Sequence, residues 1–202
     1  MQKTMKSLEK VMVVKSSILF GKKPWEGIKS IGIKKIQKLI WENYQFLTRS
    51  KVEDDLNFKQ ILPYLIFQHK EKIFLMRRGN KGKETRLHNK YHIGIGGHIR
   101  SSDLTKNDFF EWAKREFEEE VNYKGNLKIG TLGFLSSTRA PVDQFHLGVI
   151  LWLQGDSDKI SPKKDIPWGK LASLDECFAL YDRMESWSQT VLDYLKGGKS
   201  VA

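Results

Sequence analysis

Cysteine is almost absent: a single residue, Cys177, stands in a chain of 202, so no internal disulfide can form. That scarcity fits a reducing cytoplasm. With no nucleophile motif around it, Cys177 reads as a small buried hydrophobe. Long apolar runs are missing too. No stretch approaches the roughly 20 residues of a membrane span, and the charged N-terminus has no signal-peptide core before a small-residue cleavage site. The expectation is a cytoplasmic protein with no membrane span. No Gly-Lys-Ser/Thr follows Gly96 and Gly97, which excludes a Walker A loop, and the spacing is not that of the dinucleotide fingerprint. His92 and His98 lack Cys or His partners at zinc spacing, so they read as structural or substrate-contacting. No nucleic-acid motif with interleaved aromatics occurs.

Charge is plentiful and uneven. Lys and Arg number 35 against 24 Asp and Glu, a net charge of +11, and residues 1–52 carry 12 cations against 3 acids. Length and a good supply of apolar residues favour one domain with a substantial core. The expected division is a basic N-terminal segment, 1–57, packed on the same domain as 58–198. Within the segment, Lys10 to Phe20 reads as a strand, with a turn at Gly21 to Pro24. Ile28 to Leu47 reads as an amphipathic helix, with Ile33, Ile36, Leu39, Ile40 and Tyr44 opposite Lys29, Lys34, Lys35 and Lys38. A solvated basic face is the commoner role of such a helix. RNA and anionic lipid are the alternatives, and the same charge attracts a polyanionic substrate.

From Phe58 the pattern changes to strands. Ile61 to Gln68 and Lys72 to Arg77 form an expected hairpin around His69 to Glu71, with Pro63 at an edge or a strand start. A polar loop follows, with Arg77, Arg78, Lys81, Lys83, Arg86 and Lys90, and Arg presents a planar fork to phosphate oxygens. Tyr91 to Ile99 is a strand entering a glycine-rich turn, where the backbone can pass close to a neighbour or ligand. Further strands are expected over Leu127 to Ser137 and Phe145 to Gly155, then helices over Ser173 to Leu180 and Ser186 to Lys196.

Between these lies Asp108 to Val121, which contains no Gly or Pro and places Phe110, Ala113, Phe117 and Val121 on one helical stripe, with Thr105 as cap. Glu116 lies beside both Glu119 and Glu120 at helical spacing. Three carboxylates on one face repel one another, by a few tenths of a kcal/mol per pair in an isolated helix, and a hard cation would relieve them. A solvated acidic face is the bland alternative.

Arg115-Glu116-Phe117-Glu118-Glu119-Glu120 resembles the helical half of the Nudix box, which runs Arg-Glu-apolar-any-Glu-Glu-any-Gly-apolar after an opening Gly. Gly97 fits the opening glycine, Arg115 the box arginine, Glu116, Glu119 and Glu120 the metal-binding glutamates, and Tyr123 closes it. The interval from Gly97 to Arg115 is four residues longer than the family's. The first box Glu therefore has two counterparts, Asp103 by distance from Gly97 and Asn107 by distance from Arg115. Asn122 replaces the family's Gly, where a left-handed helix end is expected. The stretches from Arg86 to Ile99 and from Val142 to Val149 are similar to a bacterial branch of predicted phosphoesterases in the family. That likeness spans nearly the whole chain and names no substrate.

The resemblance implies an α/β (α+β) fold, a Nudix-like α/β/α sandwich with a mixed β-sheet, the box helix on one side and the C-terminal helix pair on the other. It implies a hydrolase that cleaves a diphosphate linkage in a nucleoside diphosphate derivative with Mg²⁺, Mn²⁺ being a substitute. Glu116, Glu119 and Glu120 would hold the metal, and Arg115 would fix a box glutamate. Arg78, Arg86, Gly96, Gly97, His98 and Arg139 would meet a nucleotide-type substrate. The general base stays open among Glu120, Glu116, Asp143 and Glu185. Alternatives are a catalytically weak Nudix-fold module that binds a nucleotide or RNA, and an acidic helix used for protein docking. A homodimer is open.

Overall fold

The computed structural model describes residues 9–80, 87–103, 109–163 and 166–197. The chain begins with strand β1 (Lys10–Lys15) and a short helix α1 (Ser16–Phe20). Strand β2 (Gly27–Lys29), helix α2 (Ile33–Asn43) and strand β3 (Gln45–Thr48) follow. Next come β4 (Phe58–His69), β5 (Lys72–Arg77), β6 (Tyr91–His92) and β7 (Gly94–Gly96). Helix α3 (Phe109–Glu120) runs directly into β8 (Val121–Tyr123). The remaining elements are β9 (Leu127–Ser136), β10 (His146–Gly155), β11 (Ile160–Pro162), β12 (Trp168–Ala172), α4 (Leu174–Phe178) and α5 (Ser186–Lys196).

Among the described residues ten strands form one mixed sheet, with a central path β12-β5-β4-β10-β9-β2 and β1, β3, β6 and β7 attached beside it. β4 and β10 run parallel in register from Gln60↔His146 to Gln68↔Gln154, and the other ladders are antiparallel. Both central strands are almost continuously apolar and buried, as a strand covered on two faces must be. Helices cover both faces. On one, Ile36 and Ile40 of α2 and Trp112 and Phe117 of α3 pack on Ile61, Leu65 and Phe67. On the other, Cys177 of α4 and Trp187, Val191 and Leu192 of α5 pack on Tyr64, Ile66 and Trp152. This is the expected sandwich. No helix among the described residues is long and apolar enough to cross a membrane.

The N-terminal segment joins the same sheet: β1 pairs with β4 from Val13↔Gln60 to Lys15↔Phe58. It also touches the box helix, because Trp41 of α2 stacks on Phe109 with ring centroids 4.4 Å apart. Such an aromatic pair contributes about 0.5–1.5 kcal/mol beyond its burial.

Several local expectations are corrected. Ile28 to Leu47 is not one helix: Gly32 (φ 75) takes a left-handed conformation at the helix start and Tyr44 is extended at its end, so Ile28 joins an edge strand and only Ile33–Asn43 is helical. The strand expected to reach Phe20 ends at Lys15, where the chain turns into α1. Pro63 sits in the middle of a central strand rather than at an edge. On one side it pairs with Val149, while on the other the partner changes from β1 at residues 58–60 to β7 at residues 64–66. No described ladder there requires the missing N–H. In α3 the buried residues are Phe109, Trp112, Ala113 and Phe117, and Phe110 is on the exposed side. Asn122 adopts strand conformation opposite Ser161, so no left-handed helix end occurs there. Thr105 and Asn107 lie outside the described residues.

Candidate active site

Helix α3 is anchored by Trp112 and Phe117, each 1% exposed, and this fixes which way its carboxylates face. Gly97 lies against them. A Cβ there would stand 2.7 Å from Glu116 Oε1, so the opening glycine lets the backbone and the carboxylate meet. Gly94 is constrained in the same way, since its Cβ would fall 2.1 Å from the Tyr64 ring.

Arg115 gathers the acids. Its guanidinium donates to Glu119 Oε1 at 2.6 Å and lies 3.2 Å from Asp103 Oδ1 and 3.6 Å from Glu116 Oε2. The Asp103 side chain is only 9% exposed and also accepts from the Arg100 amide at 2.8 Å. Of the two counterparts for the first box glutamate, Asp103 lies beside Arg115, and Asn107 is outside the described residues. Glu116, with its side chain 16% exposed, has its carboxyl pushed up to about 7. Burial is the main cause, Arg115 opposes it, and Glu119, Glu120 and Asp103 reinforce it.

Three carboxylates with only oxygen donors suit a hard divalent cation, and the like-charge field on Glu116 is what such a cation would relieve. Among the described residues no three His, Cys, Asp or Glu side chains already enclose a metal position. Glu119, held on Arg115, is the side chain that would have to turn.

A cleft of about 710 Å³ opens beside the glycine turn, where among the described residues β4 pairs with β10 at Leu62 and Pro63 but has no ladder on its other side. Gly96, His98, Arg78 and Arg139 line it. Arg78 donates from Nε to Glu185 Oε1 at 2.7 Å, and the field of Glu120 also reaches it, which ties the box helix electrostatically to the cleft. Despite burial, these acids raise the Arg78 pKa, so it stays cationic. His98 Nε2 lies 2.8 Å from Gln60 Oε1. Arg139 is occupied by Tyr181 and Asp193, at 2.9 and 2.6 Å.

Asp143 and Glu185 are both largely buried, and both reach the cleft. Asp143 accepts from Ser137 Oγ, the Ala140 amide and Ser186 Oγ, each at 3.1 Å. Burial raises its pKa, and those hydrogen bonds oppose the rise. His92 is 2% exposed and its pKa is lowered by burial, which marks a neutral imidazole inside the sheet rather than a cleft ligand. Arg86, Lys81 and Lys83 lie outside the described residues.

Sequence reasoning missed part of the lining. Arg49, Glu53 and Asp54 of the N-terminal segment border the cleft, as do Tyr64 of β4 and Trp187 of α5. The aromatics carry no separate signal, because Trp187 packs edge-on to Tyr64 with centroids 5.5 Å apart and serves core and cleft together. The Arg49 turn is brought there by the β1–β3 pairing, which local sequence does not encode.

No protein-family model matches the chain. Protein YmaB of Bacillus subtilis (strain 168) is 34% identical over 164 residues, covering 76% of this chain and 79% of that protein. The crystal structure of Tm1382, described as a candidate Nudix hydrolase, superposes with a TM-score of 0.78 at 26% identity, covering 94% of this chain and 99% of the other. The NUDIX domain of Shewanella oneidensis NrtR, solved with ADP ribose, superposes with a TM-score of 0.55 at 10% identity, covering 70% and 89%, a likeness of fold alone.

Proposed function

This chain belongs to the Nudix hydrolase family, and from that premise we propose a metal-dependent pyrophosphohydrolase that cleaves the diphosphate linkage of a nucleoside diphosphate derivative. The observation that carries the reading is the approach of Glu116 to Gly97, with Arg115 holding Asp103, Glu116 and Glu119. Parts of the box far apart in sequence thus meet beside Gly96, which lines the cleft.

Glu116, Glu119 and Glu120 would hold Mg²⁺, or Mn²⁺ in its place. When bound, the cation supplies Lewis-acid polarisation of the diphosphate and a lower pKa for the attacking water. The chain's own residues do the rest. Arg115 fixes the rotamers of Glu116 and Glu119, a positioning role. Arg78, with Nε committed to Glu185, can offer its remaining N–H groups to phosphate oxygens. Gly96 and His98 line the cleft that would take the diphosphate, with Gly97 next to them against Glu116, and Arg139 lines it too with Asp193 on its guanidinium.

The base falls to a box glutamate. Asp143 is filled by three donors and Glu185 is bound to a permanent cation, so neither carboxylate is poised to take a proton. Glu116 has its carboxyl near 7 only while no cation is bound, because a cation held by it favours the ionised form, so that value does not select it as the base. Glu120 is the other choice.

A screen of nucleoside triphosphates, dinucleoside polyphosphates, nucleotide sugars and nucleotide coenzymes with Mg²⁺, scored for phosphate or nucleotide release, tests the reading. Cleavage between two phosphorus atoms, abolished by chelation, is the expected result. Inertness toward every diphosphate under these conditions overturns it.

A further inference from the structure

β4 is apolar along most of its length, yet Gln60 near its start is 0% exposed. A carboxamide shut away from water needs protein partners at both ends, and Gln60 has them. The Val52 carbonyl can only accept, so the amide nitrogen faces it at 3.3 Å, and Oε1 is left for His98 Nε2 at 2.8 Å. An acceptor in that position requires His98 to carry a proton on Nε2. Gln60 therefore fixes both the tautomer and the orientation of the imidazole.

His98 follows the opening glycine. Gly97 must lack a side chain to approach Glu116, and the same lack leaves its peptide planes easy to rotate. Backbone contacts hold the chain on either side. Gly96 pairs with Tyr64 of β4, and the Ile99 carbonyl accepts from the Met12 amide at 2.9 Å. These contacts fix where the loop enters and leaves, but not how the peptide between Gly97 and His98 is turned. Gln60, on the same strand as Tyr64, supplies that restraint by holding the His98 ring.

Building on the metal-dependent reading above, we propose that Gln60 is a positioning residue for the box. Through His98 it sets the Gly97 backbone against Glu116, so that this carboxylate is already oriented when a cation arrives. Its contribution is to remove a rotation that the box's own glycine allows.

The test uses the full chain. In EDTA at pH 8, the ¹⁵N signals of the His98 ring should report a proton on Nε2. Mn²⁺ binding, followed by electron paramagnetic resonance, should weaken about tenfold in Gln60→Leu and in His98→Phe, the lower end of the effect of losing a ligand-orienting contact. The double variant should lose no more than either single one, because the two residues act as one device. Gln60→Glu keeps an acceptor for His98 and gives up the donor to Val52, so it should bind Mn²⁺ more tightly than Gln60→Leu. Nε2 without a proton, additive losses, a Glu variant as weak as the Leu variant, or unchanged Mn²⁺ affinity in His98→Phe each overturn the proposal. The wild-type spectrum and His98→Phe decide it even where Gln60→Leu does not fold. If the pattern holds but no diphosphate is cleaved, the hydrolase reading fails and the positioning role stands. Mg²⁺-dependent cleavage with Mn²⁺ affinity indifferent to both substitutions gives the reverse. A wild type that binds no Mn²⁺ refutes both.

Discussion

Replacing Glu116 with Gln isolates the property on which the metal site depends. The carboxyl is pushed from its ordinary 4.5 up to about 7, mainly by burial. Between those values the folded protein holds a proton that the unfolded chain has released, so stability falls as pH rises through the window, and the loss is complete above about 7. At about 1.4 kcal/mol per pH unit the gap corresponds to about 3 kcal/mol before solvent screening, and roughly 1–2 kcal/mol remains after discounting for it. Gln keeps the shape and cannot ionise. In EDTA, Glu116→Gln should melt about 3–6 °C above the wild type at pH 8, with the difference shrinking toward pH 5. Mg²⁺ should then raise the melting temperature of the wild type more than that of the variant, while the variant's turnover falls by roughly 10² or more. Thermal melts over this pH range, with and without Mg²⁺, read both effects. A variant less stable at pH 8, or a difference independent of pH, would refute the assignment of an unrelieved carboxylate.

Three further outcomes follow from the same geometry. Glu119→Gln and Glu120→Gln should each lower Mg²⁺-dependent turnover by roughly 10² or more, and full activity in both would remove the box helix from the site. Changing Lys29, Lys34, Lys35 and Lys38 together to Gln should leave cleavage of a small nucleotide close to wild type, with only a modest loss in association rate. If the lysines bind RNA, the wild type should show salt-dependent affinity whose slope flattens in the variant, and no detectable binding at low salt removes that role. Trp41→Ala should cost about 2–3 kcal/mol through lost packing on Phe109, and an unchanged urea midpoint would show that the N-terminal docking contributes little.

The legible parts of the chain were those where period and burial agree. β4 and β10 are long, apolar and buried, and α5 was readable to its ends because Ser186–Lys196 carries an apolar stripe between polar flanks. The box glutamates were readable from spacing, since helical geometry alone puts Glu116, Glu119 and Glu120 together. The phase of α3 was not, because Phe109, Phe110 and Trp112 offer two apolar stripes. Packing on Trp41 and on the sheet selects Phe109 and Trp112. Before α2 the lysine pattern concealed Gly32, whose left-handed conformation stops the helix from reaching back to Ile28. The cleft's N-terminal edge had no local signal, since it exists only once β1 lies between β3 and β4.

That edge also fastens the first part of the lengthened loop after Gly97. Glu9 in the N-terminal segment accepts from Arg100 Nε at 2.6 Å, the Arg100 amide donates to Asp103, and Asp103 reaches Arg115. Val11 bridges to Arg100, and the Met12 amide donates to the Ile99 carbonyl at 2.9 Å, so the loop after Gly97 is fastened to β1 before the helix begins. Residues up to Asp103 are thus positioned from the N-terminal side, and residues from Phe109 onward by the core. A box loop without such a support would have to rely on its own length for register, whereas here the contact between Asp103 and Arg115 is set by the fold. The likeness to Tm1382 covers 94% of this chain, so it extends into the N-terminal segment. The segment is therefore better understood as part of the site's framework than as an appendage to it.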